Sequence, residues 1–192
     1  MSNEPDEMRT MAVKLQQITP NAVVEKVVAL GDDEIDELSE AAEKAIIDGN
    51  GFGWLKVPPR RVLESYWRGV LLMPQRDLFV ARLDGAIVGS AQLLRPPPNN
   101  EAQAHSATLT TFFIAPWARG HGLARGLVKV VEDTAREAGF RQIDLDFRAT
   151  QTAAIQLCEQ AGYKRWGTKP RYAFVDGAYV DGYFYTKALI SE

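Results

Sequence analysis

Thr108-Leu-Thr-Thr-Phe-Phe-Ile-Ala-Pro-Trp-Ala-Arg-Gly-His-Gly-Leu-Ala-Arg-Gly-Leu-Val-Lys129 is the stretch on which the reading of this chain turns. It begins as an apolar β-strand, bends at Pro116, turns through a glycine-rich segment at Arg119–Ala124 and continues as a helix. Gly120 and Gly122 let the backbone turn sharply and let an external group approach bare main chain. The first N–H groups of the following helix have no partner within it, and the helix dipole is positive at that end. Such a turn receives phosphate or diphosphate readily. Arg119, Arg125 and His121 add positive charge around it. A glycine-rich strand-to-helix turn without a ligand fits these residues alone equally well, so the rest of the chain must decide.

Composition narrows the choice. With 192 residues, 46% of them hydrophobic, one domain spanning 1–192 with a filled core is expected. The charge is balanced, 22 basic against 25 acidic residues and a net −3, which gives no support to a nucleic-acid partner. Cys158 is the only cysteine, so neither an internal disulfide nor a cysteine-based metal cluster can form, and His105 and His121 alone offer little to a metal. Residues 1–12 open with an acidic, polar segment unlike a signal peptide and read as a flexible tail. No apolar run approaches the roughly 18 residues that span a bilayer. A cytoplasmic protein without a membrane partner or a metal is expected.

Outward from the organising stretch, the elements fall in a definite order. Val13–Ile18 alternates weakly and could be an extra strand or a tail; Val23–Leu30 makes a better first strand. Gly31-Asp32-Asp33 caps a helix that buries Ile35, Leu38, Ala42, Ala45 and Ile46. An apolar loop, Phe52–Val57, and Pro58-Pro59 lead to a second helix with Val62, Leu63, Tyr66, Trp67 and Val70 on one face, read as core packing. Asp84-Gly85 joins two apolar runs as a hairpin. Beyond the glycine turn, a helix runs to about Ala138 with Leu123, Leu127, Val130, Val131 and Ala135 inward, and a strand follows at Gln142–Arg148. Thr150 or Thr152 can cap the next helix, whose stripe is Ala154, Leu157, Cys158 and Ala161. Tyr172–Val175, Asp176-Gly177 and Val180–Leu189 read as a closing hairpin.

This order resembles the GNAT superfamily of acetyl-CoA-dependent N-acetyltransferases over about Val23 to Leu189. Arg119, Gly122 and Ala124 meet the family's Arg/Gln-x-x-Gly-x-Gly/Ala motif. Gln151-x-x-Ala154-Ile155-x-Leu157-Cys158-Glu159-x-x-Gly162-Tyr163 is similar to its Asn-x-x-Ala-x-x-Leu-Tyr-Glu-x-x-Gly-Phe segment. Gly167-Thr-Lys-Pro170-Arg-Tyr172-Ala and the final Asp-Gly hairpin look like the branch that includes tabtoxin-resistance and similar small-molecule acetyltransferases. The resemblance implies an α/β (α+β) fold: a mixed, mostly antiparallel sheet of about seven strands flanked by about four helices, its central strands splayed. It implies acetyl-CoA as cosubstrate and no metal. Pantetheine would lie between the strand of Phe113-Ile114 and that of Asp144–Phe147, with the diphosphate on the N–H groups of Gly120, His121, Gly122, Leu123, Ala124 and Arg125. Gln151, Ala154 and Cys158 complete the cofactor-binding set that the resemblance suggests.

Three positions depart from the pattern. Cys158 stands where the family has a tyrosine acid, Gln151 where it has asparagine, and Thr108 where the resembling branch often has an acidic residue. A thiol can protonate a thiolate of similar pKa, and a small buried filler is the competing role. His105, Asp146, Tyr172 and water remain as proton carriers, with Asp146 facing the same side of its strand as Asp144. The expected catalytic residues are thus Tyr172, Cys158 and His105. The expected reaction is acetyl transfer to the primary amine of a small molecule, in a pocket made by the Phe52–Val57 loop, the Pro96–His105 loop and the final hairpin. Acetylation of a protein lysine and acyl-CoA binding by a catalytically weak regulator are the rival readings, and a homodimer is one assembly the resemblance allows.

Overall fold

A computed structural model describes residues 20–49 and 52–190. Its elements are β1 (Ala22–Val27), α1 (Asp32–Ile47), α2 (Arg60–Leu71), β2 (Arg76–Leu83), β3 (Ala86–Leu94), β4 (Ser106–Ile114), α3 (Leu123–Glu137), β5 (Gln142–Arg148), α4 (Thr152–Gln160), β6 (Lys164–Val175) and β7 (Ala178–Ala188). The expected order of seven strands and four α-helices holds among the described residues. The 1–12 tail and the Val13–Ile18 strand lie outside them. β6 starts at Lys164, well before the expected Tyr172. Its first half, Lys-Arg-Trp-Gly-Thr-Lys, is a largely exposed edge and carries no apolar alternation to announce a strand. Asp84 and Gly85, and again Asp176 and Gly177, have positive φ and form the two expected tight turns.

The strands lie in the order β1-β2-β3-β4-β5-β7-β6, and only the β4/β5 pair is parallel. Helices cover both faces, so the central strands are apolar on both sides. On β2, Leu78 and Val80 pack with Ile35, Leu38, Leu63 and Trp67 of α1 and α2. The alternate residues Phe79 and Ala81 pack with Leu127, Val131 and Cys158 of α3 and α4. The helix stripes are mostly as expected; Val62 of α2 is exposed, because Leu63, Trp67 and Val70 already fill the buried face. At α4 neither Thr150 nor Thr152 caps; Gln151 holds the N-cap position and its Oε1 accepts the Arg148 N–H at 3.1 Å.

The placement of the site follows from one irregularity. β4 and β5 pair only at Ser106/Gln142, Ala107/Ile143 and Thr108/Asp144, then part. β5 stays paired with β7 along its whole length, so β4 is the strand that bends away. Gln92 pairs with Thr110 and Ser90 with Phe113, leaving Thr111 and Phe112 opposite Ala91 in a bulge. Thr111 has φ 51°, an unfavourable region for a β-branched residue. Its Oγ1 lies 3.4 Å from the Tyr66 hydroxyl, which accepts from Gln92 Nε2 at 3.1 Å, and Gln92 Oε1 accepts from Arg76 at 2.6 Å. This largely buried chain ties the bulge to β3 and α2.

Beyond the bulge, β4 returns to β3 at close quarters. A Cβ on Gly89 would stand 2.5 Å from Ile114 Cδ1 and 2.6 Å from the Phe113 carbonyl oxygen, so no side chain fits there. Gly89→Ala is therefore expected to cost about 1–3 kcal/mol by overpacking, measured as a shift in the denaturation midpoint. An unchanged midpoint would show slack between the strands that these distances do not contain.

Candidate active site

Where β4 and β5 part, a cleft of about 710 Å³ opens. β4 supplies one wall from Leu109 to Ile114 and β5 the other from Leu145 to Arg148. The start of α3 lies at one end and α4 contributes Ala153, Ala154 and Leu157. Phe52, Gly53 and Leu55 from the α1–α2 loop and Tyr172, Ala173 and Phe174 from β6 complete the lining. Phe52 is anchored by stacking on Phe113, with ring centroids 5.0 Å apart. The Pro96–His105 loop contributes no residue to the lining, contrary to expectation. It joins the ends of β3 and β4 that lie away from the splay.

The glycine turn has the geometry its sequence suggests. Gly122 is left-handed, φ 76°, at the N-cap of α3. The first helical bond runs from Gly126 N–H to Gly122 O at 3.0 Å, so the N–H groups of Leu123, Ala124 and Arg125 lack helical acceptors. Arg119, Gly120, Gly122, Leu123, Ala124 and Arg125 all line the cleft. Arg119 Nη2 is 2.7 Å from Asp48 Oδ2, just past the end of α1. Arg125 is exposed, with Nη2 3.5 Å from Gln160 Oε1. His121 is outside the lining; its Nδ1 is 3.1 Å from Ala118 O, so the ring folds back on its own turn. Free helix N–H groups, two guanidinium groups and an unpaired strand edge fit an anionic diphosphate continued by an amide-bearing chain.

The other expected residues separate. Phe113, Ile114, Gln151 and Ala154 line the cleft. Gln151 also holds the β5–α4 turn through its bond to Arg148 N–H. Cys158 is not in the lining: its side chain is fully buried in the core beneath α3. Ala153, Ala154 and Leu157 occupy the cleft side of α4, and the helix period carries the next position inward. Burial, with the nearby charges of Glu132 and Glu159, pushes its thiol up to about 12. Neither the catalytic nor the cofactor-binding role expected of Cys158 fits that position. His105 is exposed and lies before the start of β4, about 13 Å of strand from Leu109, the first lining residue. It too is absent from the site.

Tyr172 does line the cleft, and its hydroxyl donates to the Asp146 carboxylate. Burial and that bond push the phenol up to about 12, so it keeps its proton throughout the neutral range. Asp144, on the same face of β5, is taken up by Ser106 Oγ at 2.6 Å and Gln142 Nε2 at 2.9 Å. The sequence did not reveal the Thr111 bulge or the Asp48–Arg119 tie; both depend on partners more than fifteen residues away. Among the described residues no group of His, Cys, Asp or Glu could hold a metal ion, and no helix is long and apolar enough to cross a membrane.

Residues 38–163, which include the splayed strands and the glycine turn, match the acetyltransferase (GNAT) family. The chain belongs to the GNAT family of acetyltransferases. It is 53% identical over 138 residues, 72% of this chain and 82% of the relative, to an uncharacterized N-acetyltransferase in the hisH-hisA intergenic region of Azospirillum brasilense. It is 32% identical over 111 residues, 56% of this chain and 65% of the relative, to the N-alpha-acetyltransferase RimI of Mycobacterium tuberculosis. Among solved structures, an N-acetyltransferase from Staphylococcus aureus shares its fold with a TM-score of 0.75 at 20% identity, covering 88% of this chain and 99% of that one. A phosphinothricin acetyltransferase from Sinorhizobium meliloti, solved with acetyl-CoA, does so with a TM-score of 0.70 at 18% identity, covering 89% of each chain. This GNAT chain is an acetyl-CoA-dependent N-acetyltransferase.

The state of its single thiol is directly measurable. Because Cys158 is buried and its thiol is held protonated, a disulfide reagent at pH 8 is expected to find no reactive thiol in the native protein and one equivalent after unfolding. Rapid reaction of the native protein would place the sulfur in the cleft after all.

Proposed function

We propose that this chain transfers the acetyl group of acetyl-CoA to the primary amine of a small molecule. The observation that carries the reading is the lining of the cleft. Phe52 and Leu55 of the α1–α2 loop and Tyr172 and Phe174 of β6 all belong to it, so apolar and aromatic side chains from outside the β4/β5 gap bound the cleft. Such walls suit a compact amine better than a lysine presented by a folded protein. An acetyl-CoA-binding regulator without turnover would share the donor end and release no coenzyme A in the presence of any amine.

In this reading the residues divide the work along the cleft. The N–H groups of Leu123–Arg125, with Arg119 and Arg125, hold the phosphates. The free edge of β4 beyond Thr108 offers main-chain donors and acceptors to the pantetheine amides. Bound acetyl-CoA would supply the activated acyl carbon. The amine must be neutral to attack. Tyr172, the one expected proton donor that lines the cleft, is a poor acid at about 12 compared with an ordinary thiol near 8.5. Its hydroxyl is already committed to Asp146, so in this reading Tyr172 acts through that bond and solvent exchanges the protons.

Acetyl-CoA is expected to raise the melting temperature of the protein, because it binds the folded state alone. Gly122→Val, which forces a β-branched residue to φ 76°, is expected to abolish that shift. Arg125→Ala is expected to weaken coenzyme A by about tenfold or more while leaving pantetheine nearly unaffected. Equal losses for both ligands would move Arg125 from phosphate binding to a folding role. Thiol release across a panel of free amines and lysine-containing proteins tests the acceptor class; turnover confined to the proteins would overturn it.

A further inference from the structure

β6 carries a second irregularity, and it is aimed at the cleft. Lys169 pairs with Gly182 and Ala173 with Val180, so Pro170, Arg171 and Tyr172 together stand opposite Asp181. Arg171 is left-handed, φ 55°, and its N–H donates to Asp181 Oδ1 at 3.2 Å. The Asp181 carbonyl accepts the Ala149 N–H at 2.8 Å, which pins the bulge to the end of β5. Pro170 brings no N–H to the ladder. The Tyr172 ring rests on the bare backbone of Gly182, where a Cβ would stand 2.3 Å from its Cγ. Phe184 meets that ring edge-to-face at 5.9 Å. All of this directs one hydroxyl onto one carboxylate, that of Asp146.

The surroundings of Asp146 say what it can receive. Leu145 and Phe147 turn into the core, so Asp146 is the exposed residue of this part of β5 and faces the cleft. Arg148, the next residue on that face, is nine-tenths buried and donates to the Gly49 carbonyl at 3.1 Å. Arg119 and Arg125 stand at the α3 end with the glycine turn. Tyr172 and Phe174 of β6 also line the cleft, whereas Phe112 packs against the α3–α4 core. The exposed carboxylate, set by the Tyr172 hydroxyl, is suited to an ammonium group with an apolar body. This holds even with Arg148 on the same face of β5, because that guanidinium is buried and donates to the Gly49 carbonyl.

Building on the acetyl-transfer reading above, we propose that Asp146 anchors the ammonium group of the acceptor, and that the acceptor is a cationic amine with an apolar or aromatic substituent. The bulged Tyr172 is a positioning residue that holds the Asp146 carboxylate for this purpose. The amine sheds its proton to water before attack, so Asp146 selects which amines arrive and does not take part in bond making. An acceptor with a carboxylate beside its amine brings like charge to Asp146 and is disfavoured.

The test uses the full chain saturated with acetyl-CoA or coenzyme A. Phenethylamine is compared with phenylalanine as acceptor by thiol release. N,N-dimethylphenethylamine, whose protonated nitrogen keeps one N–H and which forms no stable amide, is titrated calorimetrically on the coenzyme A complex. Phenethylamine is expected to be preferred by about tenfold or more in kcat/KM, and the tertiary ammonium ion to bind. Asp146→Asn is expected to remove both the preference and the binding, with the acetyl-CoA melting shift intact. Tyr172→Phe and Gly182→Ala are expected to raise KM for phenethylamine about three- to tenfold while kcat moves less than threefold. Preference for phenylalanine, absence of tertiary-ammonium binding in the unaltered chain, or retention of both properties by Asp146→Asn would overturn the proposal. A hundredfold loss of kcat at constant KM in Tyr172→Phe would also overturn it, by making the phenol a proton donor. These failures leave acetyl transfer standing; only absence of an acetyl-CoA melting shift, or of thiol release with every amine, removes that reading as well.

Discussion

Two parallel strands that share three rungs and then separate impose the main constraint on this molecule. Every backbone N–H and C=O along a sheet needs a partner, and a sheet opened in its middle exposes a row of them. The opening persists because each strand is secured on its outer side. β5 is fully laddered to β7, and β4 to β3 around the Thr111 bulge. The Arg76–Gln92–Tyr66 chain and the close approach at Gly89 keep that bulge from relaxing. The exposed strand edge is thus a maintained feature, ready for an extended ligand that can complete the ladder.

The cleft lining is mixed in charge: helix N–H groups, Arg119 and Arg125 come from the glycine turn and α3, Asp146 and Arg148 from β5, and aromatic rings from β6. The glycine turn and β5 are mechanically linked through the end of α1. Asp48 pairs with Arg119 of the glycine turn, and the Gly49 carbonyl accepts from Arg148 at the end of β5. The loop that follows α1 supplies Phe52 and Leu55 to the cleft wall.

Cys158 illustrates how a motif position can keep its place in the chain while its side chain leaves the site. A cysteine is small enough to be swallowed by the α3–α4 core, and the core's low polarity then holds its proton in place. The tyrosine that does reach the cleft, Tyr172, comes from another strand and is committed to a carboxylate.

Much of the architecture was legible from residue order. Helix stripes with three-to-four spacing, two Asp-Gly turns, and the Arg119–Arg125 turn between an apolar strand and a helix are local signals, decided within a few residues. They determined the succession of elements and the phosphate-type turn. The early start of β6 escaped because an exposed edge strand has no face to bury and so no alternation to read. The site's remaining features depend on distant partners. Tertiary structure alone decided that Thr111 would bulge and that the end of β4 next to His105 would be the end paired with β5, away from the cleft. It alone brought Tyr172 onto Asp146, 26 residues apart in sequence, because that contact requires β7 to lie between β5 and a bulged β6. Strand neighbours and side-chain direction across a sheet are properties of the assembled fold, and no local pattern of residues encodes them.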